Sequence, residues 1–220
     1  MGRLGNVHVD LHGPAGRLEA LYEEVPEPRF AAIVCHPHPQ FGGTMHNHAT
    51  YRLAKAVRAK GGVTLRFNYR GVGRSAGAWD RGTGEAEDAA AALAWLAARN
   101  PTLPRYACGF SFGAWMATIA GARDPAVRGL LLAGVALRAP DMEVLRDAAK
   151  VREVARPIAI VQGSDDAFAA PDELRAAIAG SRGPRRLAVV EGATHLFGED
   201  LNALQREAEA ALDWLLGEAG

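Results

Sequence analysis

Along the chain, apolar residues cluster in short continuous runs separated by stretches with helical spacing. Two alternating segments come first, Val7–Leu11 and Leu18–Tyr22, joined across Gly13-Pro14-Ala15-Gly16, which predicts a hairpin. The pattern then changes to unbroken apolar runs: Phe30–Cys35, Val63–Phe67, Tyr106–Phe110, Val127–Val135, Pro157–Val161 and Arg186–Val190. Such runs are expected of strands covered on both faces of a parallel sheet. Between them lie helical segments. His48–Lys60 ends at Gly61-Gly62, and Glu85–Arg99 opens with Glu85, Glu87 and Asp88 and stops at Asn100-Pro101. Ser111–Arg123 follows its strand without a linker, and Pro171-Asp172-Glu173 starts a short helix. Met142, Leu145 and Ala149 recur at helical spacing across Asp141–Val151, and Leu201, Leu204, Ala208, Leu212 and Leu215 mark the buried stripe of a last helix. Eight strands and about six helices in this alternation predict one α/β domain over residues 1–220, mostly parallel, with helices on both faces.

Composition adds exclusions. The 25 basic and 25 acidic side chains balance, which argues against nucleic acid or an anionic membrane as partner. No run approaches a membrane span and no targeting segment is apparent, so a cytoplasmic protein is expected. Cys35 and Cys108 lie inside apolar runs and read as buried thiols of a reducing compartment.

The chemistry concentrates at three places. Gly109-Phe110-Ser111-Phe112-Gly113 joins a strand directly to a helix. A sharp turn there would expose the Ser111 hydroxyl above the sheet edge and leave the Phe112 N–H, at a helix N-terminus, free to hold an oxyanion. A serine nucleophile needs a base, and the base needs an orienting carboxylate. His195 lies just after the last strand candidate, and Asp165-Asp166 follows the strand before it. Four further histidines form two His-x-His pairs, His36/His38 and His46/His48, which raises a metal site. No cysteine joins them and no carboxylate stands between the pairs, so no metal is expected. His8 and His12 alternate on the first strand and are expected at the surface.

Taken together, these segments resemble the α/β-hydrolase superfamily. They are particularly similar to its small bacterial serine hydrolases, which carry His-Pro-His-Pro-x-x-Gly-Gly-Thr after the third strand, here His36–Thr44. The likeness continues through Leu65–Ser75, the serine turn, the Asp loop and the His loop. It implies the α/β-hydrolase fold without a lid domain, and a Ser111–His195–Asp166 triad. Asp166 rather than Asp165 is implied, because in this superfamily the acid stands three residues after the glycine closing its strand, here Gly163. It also places a second oxyanion N–H in the loop after the third strand. Pro37 and Pro39 have none, leaving Gln40 or His38, with Gln40 the preferred of the two. The implied function is hydrolysis of a small acyl substrate, a carboxylic ester, through an acyl-serine intermediate and without a cofactor. A thioesterase or amidase with the same machinery, and an idle scaffold used for binding, are the alternatives.

Overall fold

The computed structural model describes residues 5–138 and 148–218. Eight strands form one sheet: β1 (Asn6–Gly13), β2 (Gly16–Glu23), β3 (Phe30–Cys35), β4 (Gly62–Phe67), β5 (Arg105–Phe110), β6 (Val127–Ala133), β7 (Ile158–Gly163) and β8 (Arg185–Val190). Among the described residues, six helices accompany them: α1 (His48–Ala59), α2 (Thr83–Arg99), α3 (Phe112–Arg123), α4 (Ala148–Glu153), α5 (Pro171–Ile178) and α6 (Leu201–Glu218). Of the helix expected over Asp141–Val151, residues 141–147 lie outside the described residues, and the described part falls within α4.

The sheet order is β1-β2-β4-β3-β5-β6-β7-β8. β1 and β2 form the antiparallel hairpin, β2 meets β4 antiparallel, and β3 to β8 run parallel. Strand order reverses at β3, which has β4 on one side and β5 on the other. In open α/β sheets, such a switch leaves a crevice at the carboxyl ends of the strands.

The apolar runs are continuous because both faces of the sheet are covered. Ala31, Ile33 and Cys35 of β3 pack with residues of α2 and α3, whereas Phe30, Ala32 and Val34 pack with α1 and α6. β8 departs from the expectation. Among the described residues it pairs with β7 alone, and five of its six residues are half-buried. Both cysteines are buried free thiols, and burial pushes the Cys35 thiol up to about 12.

The acidic start of α2 also does more than oppose the helix dipole. Glu85 accepts from the N–H groups of Gly82 (2.7 Å) and Asp80 (2.9 Å), capping the helix. Burial raises its pKa. Asp88 is fully enclosed and holds Arg70 through a bidentate pair at 2.8 and 3.0 Å. That pair anchors the loop after β4 on α2. No helix among the described residues is long and apolar enough to cross a membrane.

Candidate active site

Ser111 follows β5 and precedes α3 with φ 57° and ψ −118°. A positive φ is uncommon for a residue with a Cβ, so surrounding packing must hold it. The flanking glycines make that packing possible. A Cβ on Gly109 would stand 2.0 Å from the Gly113 carbonyl oxygen, and one on Gly113 would stand 2.3 Å from that of Cys35. The Ser111 N–H donates to Ala133 O at 2.9 Å, tying the turn to the end of β6.

His195 and Asp166 reach this serine from the loops after β8 and β7. His195 Nε2 lies 2.8 Å from Ser111 Oγ, and His195 Nδ1 lies 2.8 Å from Asp166 Oδ2. A carboxylate only accepts, so Nδ1 carries the hydrogen and Nε2 presents a lone pair to the serine hydroxyl. Asp166 is buried, and its Oδ1 accepts from the Phe168 N–H at 2.8 Å. Asp165 is exposed and accepts from Ser164 Oγ, so of the two aspartates only Asp166 meets the imidazole. Glu199 secures the His loop by accepting from Thr194 Oγ1 (2.8 Å) and the Thr194 N–H (3.2 Å).

Sequence reasoning missed Gln162. Its fully buried amide donates from Nε2 to Asp166 Oδ2 (2.7 Å) and to Ala169 O (3.0 Å), and its Oε1 accepts from the Val135 N–H (2.9 Å). One side chain thereby fixes the carboxylate against the ends of β6 and β7. Its only sequence signal is a polar residue ending an apolar run.

The loop after β3 is held by histidines in two ways. His36 is buried, with Nδ1 2.7 Å from Pro37 O and Nε2 accepting from the Tyr69 N–H at 3.2 Å. Burial lowers its pKa to about 3, so it stays neutral and pins this loop to the one after β4. His38 packs against the rings of Phe41 and Trp79, each at 4.7 Å, and Phe112 at 5.2 Å. Its Nδ1 accepts from the Gln40 N–H at 3.2 Å, capping a single 3-10 turn over Pro39–Phe41. His46 and His48 are exposed, as are His8 and His12. Among the described residues, no three His, Cys, Asp or Glu side chains form a group that could hold a metal ion.

A cavity of about 540 Å³ opens above Ser111, lined by Pro37, His38, Phe41, Phe112, Phe168, His195 and Leu196 among others. Gln40 is not part of its lining. A larger groove of about 810 Å³, bordered by Arg29, Tyr106 and Arg128, contains none of these residues; it lies at the amino ends of β5 and β6.

A mostly parallel sheet with a strained serine between strand and helix, and its histidine and aspartate on later loops, defines an α/β-hydrolase. The family model for serine aminopeptidase S33 hydrolases matches residues 26–154, more than half of the chain, and the chain belongs to that family. An uncharacterised protein of Rickettsia prowazekii is 36% identical over 167 residues, covering 74% of this chain and 68% of that one. An α/β serine hydrolase homologue from Coxiella burnetii superimposes with a TM-score of 0.85 at 31% identity, over 96% of this chain and 100% of the other. A serine hydrolase without a lid from Xanthomonas campestris superimposes with a TM-score of 0.83 at 28% identity, over 97% and 96%.

Proposed function

We propose that the protein is a serine hydrolase that cleaves the carboxylic ester bond of a small substrate through an acyl-enzyme. The observation that carries this reading is the continuous hydrogen-bonded line from Asp166 through His195 to the Ser111 hydroxyl, at 2.8 Å for each link. In the first half-reaction, Oγ attacks the carbonyl carbon while His195 Nε2 takes its proton. Asp166 holds the tautomer and stabilises the imidazolium. The tetrahedral oxyanion is met by the Phe112 N–H, at the start of α3, and by a second N–H from the loop after β3. For that second donor His38 fits better than Gln40, because His38 lines the cavity while the Gln40 N–H is directed to the His38 ring. The imidazolium then protonates the departing alkoxide. Water, deprotonated by His195, attacks the acyl-serine, and Ser111 leaves with the proton to complete the cycle.

The cavity above Ser111 supports direct entry of a soluble substrate, and the likeness to a hydrolase without a lid agrees with it. Thioesters and amides could be cleaved by the same steps, and the family model's own name describes a peptidase. The testing experiment is hydrolysis of short-chain 4-nitrophenyl esters by the wild type and Ser111→Ala. Turnover lost in the variant supports the reading. Equal turnover in both overturns the reading by making hydrolysis independent of Ser111, and none in either across esters, thioesters and amides leaves a binding scaffold instead.

A further inference from the structure

The lining of the cavity above Ser111 contains no Asp, Glu, Lys or Arg among the described residues. Its rim is apolar and comes from three separate loops: Phe41 after β3, Phe168 after β7 and Leu196 after β8. These side chains are 69%, 36% and 65% exposed. Only two other large hydrophobics among the described residues are comparably exposed, Val7 and Tyr51, and neither lines the cavity. Single exposed apolar side chains are ordinary, but their concentration at one mouth marks a binding surface. Aromatic rings continue inward, with Phe112 beside His38 at 5.2 Å and Phe168 and the His195 ring packed edge to face at 4.5 Å.

We infer that this site selects uncharged esters with an apolar, preferentially aromatic acyl group, and rejects a charge close to the reacting carbonyl, including the free amino terminus of a peptide. This rests on the serine-hydrolase reading above. A peptide's terminal ammonium sits one carbon from the scissile carbonyl, so it would have to enter this same cavity. An aminopeptidase therefore needs a carboxylate there. Among the described residues, the carboxylate that meets the triad histidine, Asp166, is buried and already accepts from His195, Gln162 and Phe168. A charge desolvated without a partner is strongly disfavoured, whereas an aryl group finds rings to pack against. The volume of about 540 Å³ admits a phenyl-bearing acyl chain.

Two matched pairs of 4-nitrophenyl esters test this at pH 6. One is 3-phenylpropanoate against L-phenylalaninate, which differ by an α-ammonium; the other is hexanoate against monoadipate, which differ by a terminal carboxylate. The neutral member is expected to have kcat/KM at least about tenfold higher in each pair, the scale of an uncompensated polar group at a binding site. Phe41→Glu places a carboxylate on an exposed rim position without disturbing the core, and is expected to shrink the ratio of the first pair several-fold. A small fluorophosphonate probe is run on the same preparations. Ratios near one, or preference for the phenylalanine ester, overturn the inference while leaving the serine-hydrolase reading intact if Ser111 is labelled. No Ser111-dependent turnover together with no labelling removes both.

Discussion

Acidification should loosen this protein through His36, whose imidazole the fold keeps neutral. The imidazole is neutral and buried, its Nε2 accepting from the Tyr69 N–H and its Nδ1 bonded to Pro37 O. Burial lowers its pKa from the ordinary 6.5 to about 3 in the folded chain. Between those values the unfolded chain binds a proton that the folded chain refuses. The stabilisation is therefore complete above pH 6.5 and is lost as pH falls towards 3. At about 1.4 kcal/mol per pH unit, His36 alone costs about 2 kcal/mol at pH 5, set against a total stability of roughly 5–15 kcal/mol. Glu19, whose carboxylate is held below its ordinary 4.5 by hydrogen bonds to Arg74 and Asn68, loses its contribution only at lower pH. Glu85, with its pKa raised by burial, works in the opposite sense, contributing below 4.5 and losing that as pH rises. Glu85 and Glu19 are present in both the wild type and a His36 variant, so the difference between the two proteins isolates the histidine. Denaturant unfolding of the wild type and His36→Gln at pH 7.5, 6.5 and 5 measures it. Glutamine can accept from the Tyr69 N–H without titrating, so the variant should be less stable at pH 7.5 but lose about 2 kcal/mol less on acidification. Parallel stability curves for the two proteins would refute the reasoning.

Three further outcomes are expected. Gln162→Met removes hydrogen bonds to Asp166, Ala169 and Val135. It should cost about 2–4 kcal/mol of stability and lower kcat more than it raises KM, read by thermal melting and steady-state kinetics. Asp166→Asn should lower kcat by about 10⁴-fold, as in the serine-protease precedent, while Asp165→Asn costs less than about threefold; the reverse order would move the acid to the exposed residue. Chelation followed by dialysis should leave ester hydrolysis unchanged, and activity restored only by zinc would revive a role for the histidine pairs.

The parts of this molecule that were legible from sequence are those whose partners are local or periodic. β3, β5, β6 and β7 read as continuous apolar runs because helices cover both their faces, and the turn at Ser111 declares itself within five residues. β8 looked the same, but an edge position leaves its residues half-exposed, and strand order at an edge is a property of the whole sheet. The resemblance to the superfamily singles out Asp166 through its distance from Gly163, and it is the buried one of the pair. The roles of the remaining polar residues depend on partners far along the chain. Gln162 meets residues 135, 166 and 169, and His36 meets the backbone of Tyr69, so neither carries a signature in its own neighbourhood. The same holds for the choice between His38 and Gln40, which turns on a ring accepting a hydrogen bond two residues away. Trp79 could not be placed beside His38 from its surroundings in the chain.

The central claim is that Ser111, activated by His195, attacks an electrophilic acyl or phosphoryl centre. Intact-mass and peptide mapping after treatment with a fluorophosphonate test it most directly. One stoichiometric adduct on Ser111, absent in Ser111→Ala and slowed by at least about a hundredfold in His195→Ala, is the expected result. An unreactive Ser111, or an adduct that forms equally fast without His195, would contradict it.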